Sequence, residues 1–352
     1  MLCHTAAMPT NEQSARIEDL LGAPYTTETI ALPDDDEGEV FATLIHRPAD
    51  GGPGRGAVLQ VHGFCDYFFH TEYAEWWAAR GYDFYALDLR KYGRSLRPHH
   101  TPNYVTDLAD YWPELDAAWE HITERDGHTS VIATAHSTGG LTLPLWADAR
   151  RPAQLTGMVL NSPWFDLQGH ALMRSVGTLA IRQIGAALPH AALPRSVSGY
   201  YTQSLHTAHG GEWDFDLAWK PVTSFPVRLG WIRAVREGHD RLHRGLDVRC
   251  PVLVLSSDDS FVPTRMSERV HRADVVLDVR QIRRWATAVG GHVTYVAVPE
   301  AKHDIWLSRA EPRARAYAEL DTWLDAYLPG PAAPGGPSAD RASDQSVSGA
   351  PS

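Results

Sequence analysis

The run Ser130-Val131-Ile132-Ala133-Thr134-Ala135-His136-Ser137-Thr138-Gly139-Gly140 constrains the chain more than any other stretch. Its first half is apolar and β-branched, as in a strand buried on both faces. Ala135-His136-Ser137-Thr138-Gly139 breaks that run, and Leu141 to Asp148 then reads as a helix. A strand, a sharp turn holding one serine, and a helix together form the elbow of the G-x-S-x-G motif. The turn lifts the serine hydroxyl over the end of the sheet, and small neighbours let the backbone bend. The helix start aims N–H groups at incoming negative charge. Ala135 stands in place of the first glycine and is small enough for the same bend. Such a pentapeptide is common by itself; its place between strand and helix gives it weight.

The surrounding chain supplies more of the same architecture. Buried-strand runs at 57–61, 83–88, 157–161, 251–255 and 292–298 alternate with helical patterns at 72–80, 108–122 and 314–327. That rhythm predicts an α/β fold with a mostly parallel central sheet flanked by helices on both faces. Residues 40–46 read as an early antiparallel strand, Gly81 as a helix C-cap, and Pro113 as a kink in the helix over 108–122. From 162 to 247 the rhythm changes to helical pieces (172–187 and 231–242), loops and nine Trp, Tyr and Phe residues between Trp164 and Trp231. This segment is expected to be an inserted helical cap over the active end of the sheet, its aromatics partly lining an apolar pocket. The core is then 21–161 and 248–328, with disordered segments at 1–20 and at the Pro/Gly/Ser/Ala-rich 329–352.

Length and charge narrow the function. A chain of 352 residues buries a large core. A formal charge of −11 argues against nucleic acid or anionic membrane as the main partner. Lysine occurs only at 91, 220 and 302, which reads as genome composition. Cys3, Cys65 and Cys250 are odd in number and widely spaced, so neither a disulfide framework nor a metal site is expected. Met1 to Asn11 carries no basic and apolar leader, and no apolar run is long enough to span a bilayer. No integral membrane association is expected, and the cytoplasm is the expected compartment.

The pattern resembles the α/β-hydrolase family, most closely its capped branch of monoacylglycerol lipases, lysophospholipases and serine-aminopeptidase-like hydrolases. The resemblance covers roughly residues 38–328. It rests on His62-Gly63-Phe64, Asp88 with Gly93-Arg94-Ser95, the Ser137 elbow, the strand at 252–255 and Lys302-His303-Asp304, in the family's order. The resemblance implies an α/β-hydrolase fold and a small-molecule ester substrate, with no cofactor and no metal. It makes Ser137 the nucleophile, His303 its base, and the backbone N–H groups of Phe64 and Thr138 the oxyanion hole. Amide or lactone hydrolysis, and ligand binding without turnover, remain open on the same frame. His136, Asp88, Arg90, Cys65 and the pair His99-His100 are read as packing or loop residues.

The acid is less direct. The family's usual position follows the strand at 252–255, where Asp258 and Asp259 stand, 45 and 44 residues before His303. Asp274 lies 29 residues before it, followed by a turn, a helix over 281–289, a strand and the histidine. That spacing resembles the family's acid-to-histidine order with little need for gaps, so Asp274 is the expected acid and 259–273 an insertion. Asp278 is expected to cap the helix that follows it.

Overall fold

The computed structural model describes residues 15–52, 54–168, 184–193 and 198–328. Nine strands form one sheet: β1 (Ile17–Glu18), β2 (Thr26–Ala31), β3 (Phe41–Arg47), β4 (Gly56–Val61), β5 (Tyr82–Asp88), β6 (Val131–His136), β7 (Leu155–Asn161), β8 (Val252–Ser257) and β9 (Val293–Val298). Their order is β1-β2-β3-β5-β4-β6-β7-β8-β9. The first three pair antiparallel, with β3 also antiparallel to β5, and every pairing from β5 to β9 is parallel.

Alternating residues explain why this sheet is covered twice. Leu59, Ala133, Leu160 and Val254 enter one apolar cluster, while Val58, Ile132, Val159 and Leu253 enter the other. The first face is covered by α2 (Trp112–Glu120) and α3 (Gly139–Arg150), through Leu115, Trp119, Leu141 and Trp146. The second is covered by α1 (Thr71–Ala78) and by the last helix, Ala310–Tyr327, through Tyr73, Trp77, Leu320 and Trp323. A parallel strand buried on both faces reads as a near-continuous apolar run, interrupted here by buried Gln60 and Thr134.

Several expectations need correction. Residues 15–20, expected in the disordered lead-in, reach the sheet: β1 pairs with β2, and the Asp19 carboxylate holds Arg94 at 2.7 Å. Pro113 does not kink a helix; a 3-10 turn over Leu108–Tyr111 ends there, and the proline sits in the first turn of α2. That position suits a residue with no N–H to donate. The two helices described in full within 162–247 are α4 (Tyr200–Leu205) and α5 (Leu229–His243). The segment between them is largely irregular. Of the expected helix over 172–187, residues 184–187 are helical, and 172–183 lie outside the described residues. The expected disorder at 1–14 and 329–352 also falls outside them. Two further helices complete the chain: α6 (Val279–Trp285), capped by the Asp278 carboxylate on the Arg280 N–H, and α7 (Ala310–Tyr327).

Candidate active site

The end of β6 delivers Ser137 in a backbone state that side chains rarely adopt, with φ +52°. The Ser137 N–H donates to the Asn161 carbonyl at 3.0 Å, and its own carbonyl accepts from the N–H groups of Gly140 and Trp164. Those bonds hold a left-handed residue that would otherwise relax. Glycine is needed around it. A Cβ on Gly139 would collide with the His62 carbonyl, and one on Gly63 would lie 2.8 Å from the Ser137 Cβ. The loop after β4 therefore passes directly against the serine.

His303 follows β9 and is buried. Its Nε2 lies 3.0 Å from Ser137 Oγ, and its Nδ1 lies 2.8 Å from Asp274 Oδ2. The other carboxylate oxygen of Asp274 accepts the N–H groups of Val276 and Leu277 at 2.8 and 2.7 Å. Asp258 and Asp259 point elsewhere: the first accepts the Glu300 N–H, and the second pairs with Arg269 in solvent. The reason lies in the excursion after β8. The chain leaves at Asp259 and returns at Asp274, whose N–H donates to the Asp259 carbonyl at 2.9 Å while Ser260 bridges Asp274 in parallel. The return brings Asp274 to the end of β8 and onto the imidazole.

Phe64 and Thr138 both line the cavity that contains Ser137 and His303. Among the described residues, neither backbone N–H donates to a protein acceptor. Thr138 is the N-cap of α3, where helix N–H groups point outward, and the Phe64 ring packs on Trp231 at 4.2 Å. The cavity is about 560 Å³ and is walled mainly by apolar residues, including Trp164, Leu193, Val227, Trp231, Ile232 and Leu277. Three aromatics of the 162–247 segment reach it, Trp164, Tyr201 and Trp231. Phe165 enters the main core, and Phe215, Trp213 and Trp219 pack in a separate cluster with Tyr67 and Phe69.

Residues read as structural take such places. Burial, partly offset by the Asp304 carboxylate, pushes His136 down to about 4, so it is neutral beside the His303 ring at 4.7 Å. Asp88 accepts the N–H groups of Phe68 and Arg94 and pairs with the Arg94 guanidinium. Arg90 pairs with Glu114, and Cys65 is buried with a free thiol. His99 and His100 face the Glu39 carbonyl.

A buried polar cluster under the site had no signal of its own in the sequence. Asp304 accepts from Asn161 Nδ2 and lies against His70 Nε2, both at 2.8 Å. Asn161 also takes the Ile305 N–H, so it ties the elbow to the histidine loop. Its place at the C-terminal end of a strand was the available hint. Asp66, His70 and Asp304 bring ligand-type atoms within 4.8 Å of one another. The positive charge there is the Lys220 ammonium, 2.7 Å from Asp66 Oδ1.

A mostly parallel sheet whose left-handed serine faces a histidine–carboxylate pair is the architecture of the α/β-hydrolases. The chain belongs to the serine aminopeptidase, S33 family, whose model matches residues 52–309. Its fold is similar to a monoglyceride lipase from Saccharomyces cerevisiae, with TM-score 0.63 and 15% identity over 86% of this chain and 96% of that one. It is also similar to the monoacylglycerol lipase of Paleococcus ferrophilus, with TM-score 0.61 and 18% identity over 81% and 98%. At such identities the likeness is one of fold. Phospholipase YtpA of Bacillus subtilis is 29% identical over 114 residues, which is 32% of this chain and 41% of that protein. Epoxide hydrolase 4 of Homo sapiens is 28% identical over 123 residues, 34% of this chain and 31% of that protein. The matched stretch thus spans less than half the length of either. No helix among the described residues is long and apolar enough to cross a membrane.

Proposed function

We propose that this protein hydrolyses carboxylic esters with an apolar or aromatic acyl part through an acyl-enzyme on Ser137. The supporting observation is the hydrogen-bonded line Ser137–His303–Asp274 at the wall of a largely apolar cavity. With its Nδ1–H directed to Asp274, the neutral imidazole leaves Nε2 to take the serine proton as Oγ attacks the carbonyl. The same Nε2 then hands the proton to the departing alcohol, and a water repeats the sequence to release the acid. Negative charge on the carbonyl oxygen falls to the N–H groups of Phe64 and Thr138, where the loss of one donor costs about 10²–10³ in turnover. The cap, 162–247, sets the substrate through the side chains it contributes to the cavity. The reading needs no metal or cofactor and carries a cytoplasmic location with it.

An ester fits this cavity better than the N-terminus of a peptide. Holding a free α-ammonium requires an unneutralised carboxylate, and the carboxylate in the cavity wall, Asp66, already faces Lys220. The test is a panel of p-nitrophenyl esters varying in acyl length and aromaticity. The expected result is a burst of p-nitrophenol equal to the enzyme concentration, strongest for apolar acyl groups and absent in Ser137→Ala. A panel hydrolysed equally by Ser137→Ala, or a preference for charged acyl groups, contradicts the reading.

A further inference from the structure

The chain places lysine at three positions among its 32 basic residues, and all three side chains are buried. Scarcity follows composition; the places kept do not. Lys91 closes on Asp35 and Glu37, and Lys302 donates to the Ser204 carbonyl. Lys220 alone of the three lines the cavity, with its Nζ 2.7 Å from Asp66 and 5.7 to 5.9 Å from the ring centres of Phe69, Tyr201 and Phe215.

Asp66 stands two residues beyond Phe64 and is buried to 1% exposure. Its Oδ2 has no hydrogen-bond partner among the described residues, so Lys220 supplies the one hydrogen bond its carboxylate receives. Between Phe64 and Asp66 lies Cys65, a non-glycine residue at φ +53°. Such a conformation persists only where the chain is held from both sides. On one side the Cys65 N–H donates to Asn103 Oδ1 at 3.2 Å. On the other stands the ion pair with Lys220. The cap segment carrying Lys220 is itself fixed to the core, by the Asp216 N–H on Tyr67 Oη and by Trp213 Nε1 on the Leu307 carbonyl, at 2.7 and 2.9 Å.

We infer that Asp66 and Lys220 are a positioning pair through which the cap sets the Phe64 N–H in the oxyanion hole. The inference rests on the proposed role of Phe64 and extends it, because the cap then completes the site as well as roofing it.

The experiment compares Lys220→Met, Asp66→Asn and the double variant on p-nitrophenyl butyrate, with active sites counted by fluorophosphonate titration. Lys220→Met leaves a buried carboxylate without its counter-charge and lets the loop shift. Its kcat per active site is expected to fall by about 10²-fold with KM changed less than about threefold, the loss typical of a misplaced oxyanion donor. The double variant buries no unpaired charge and is expected to regain about tenfold of that loss. A Lys220→Met enzyme that melts earlier yet keeps its kcat per site overturns the pair alone, as does a double variant no better than Lys220→Met. Turnover that persists in Ser137→Ala overturns the underlying reading and the pair with it.

Discussion

A carboxylate orients an imidazole only if something fixes the carboxylate. At Asp274 that is done by the N–H groups of Val276 and Leu277 on the oxygen turned away from His303. Asn in its place keeps the shape and loses the charge, so Asp274→Asn should lower kcat by about 10³–10⁴, the order seen in the serine-protease template. Asp258→Asn and Asp259→Asn, exposed and engaged elsewhere, should stay within about threefold of wild type when kinetics are measured at matched folded fraction. Asp304 makes a pH prediction. Burial would raise its carboxyl, but the neighbouring imidazoles of His136 and His70 and the hydrogen bonds from His70 and Asn161 hold it well below the usual carboxylate range. A depressed carboxyl contributes stability above its unfolded pKa of about 4 and loses it as pH falls below that value. Thermal melts of Asp304→Asn should therefore show lower stability at pH 7 and a shallower fall between about pH 5 and pH 3. An acid limb as steep as wild type would contradict this role. Asp274 was reachable by counting residues back from the histidine. Asn161, Asp304 and Lys220 were not, because each is a single polar residue whose partner lies 143, 234 or 154 positions away.

Among the elements, the segment 162–247, proposed here as the cap, divides its aromatics in a way its composition only suggested. A change of rhythm and a run of aromatics marked it in the sequence, but aromatic content cannot say which rings face a cavity and which face one another. Trp164 borders the cavity, whereas Phe215 packs with Tyr67 and Phe69 behind Lys220 and does not line it. Trp164→Ala should shift the ranking of p-nitrophenyl esters toward longer or bulkier acyl groups with a modest change in melting temperature. Phe215→Ala should lose about 3 kcal/mol of stability, as large-to-small core changes do, and leave the ranking unchanged. The opposite pattern in the two variants would show that the cavity is lined by other residues. The cap is also not a separate packing unit: Trp231, Val235 and Leu242 of α5 share a cluster with Leu141 and Trp146 of α3. A Cβ on Gly238 would press on Leu108 and Leu141. Sequence order separates α5 from the core, and packing rejoins them.

At the scale of the whole molecule, the parallel strands were legible because strands covered on both faces read as mostly apolar, β-branched runs with few polar interruptions such as Gln60 and Thr134. β1 and β2 were not, since this edge pair carries Glu18, Thr26 and Thr27, and its buried Glu28 is accommodated by pairing with Arg125 from far along the chain. The excursion over 259–273 was legible as excess length before Asp274, but not the pairing of Ser260 with Asp274 that closes it. What the whole fold accomplishes is to gather Ser137, His303 and Asp274, from three distant parts of the chain, around one hydroxyl. That claim is tested most directly by intact-mass spectrometry and peptide mapping after reaction with a fluorophosphonate. One adduct per chain, located on Ser137 and abolished in Ser137→Ala, is the predicted result. An adduct on another residue, or labelling that survives in Ser137→Ala, would contradict it.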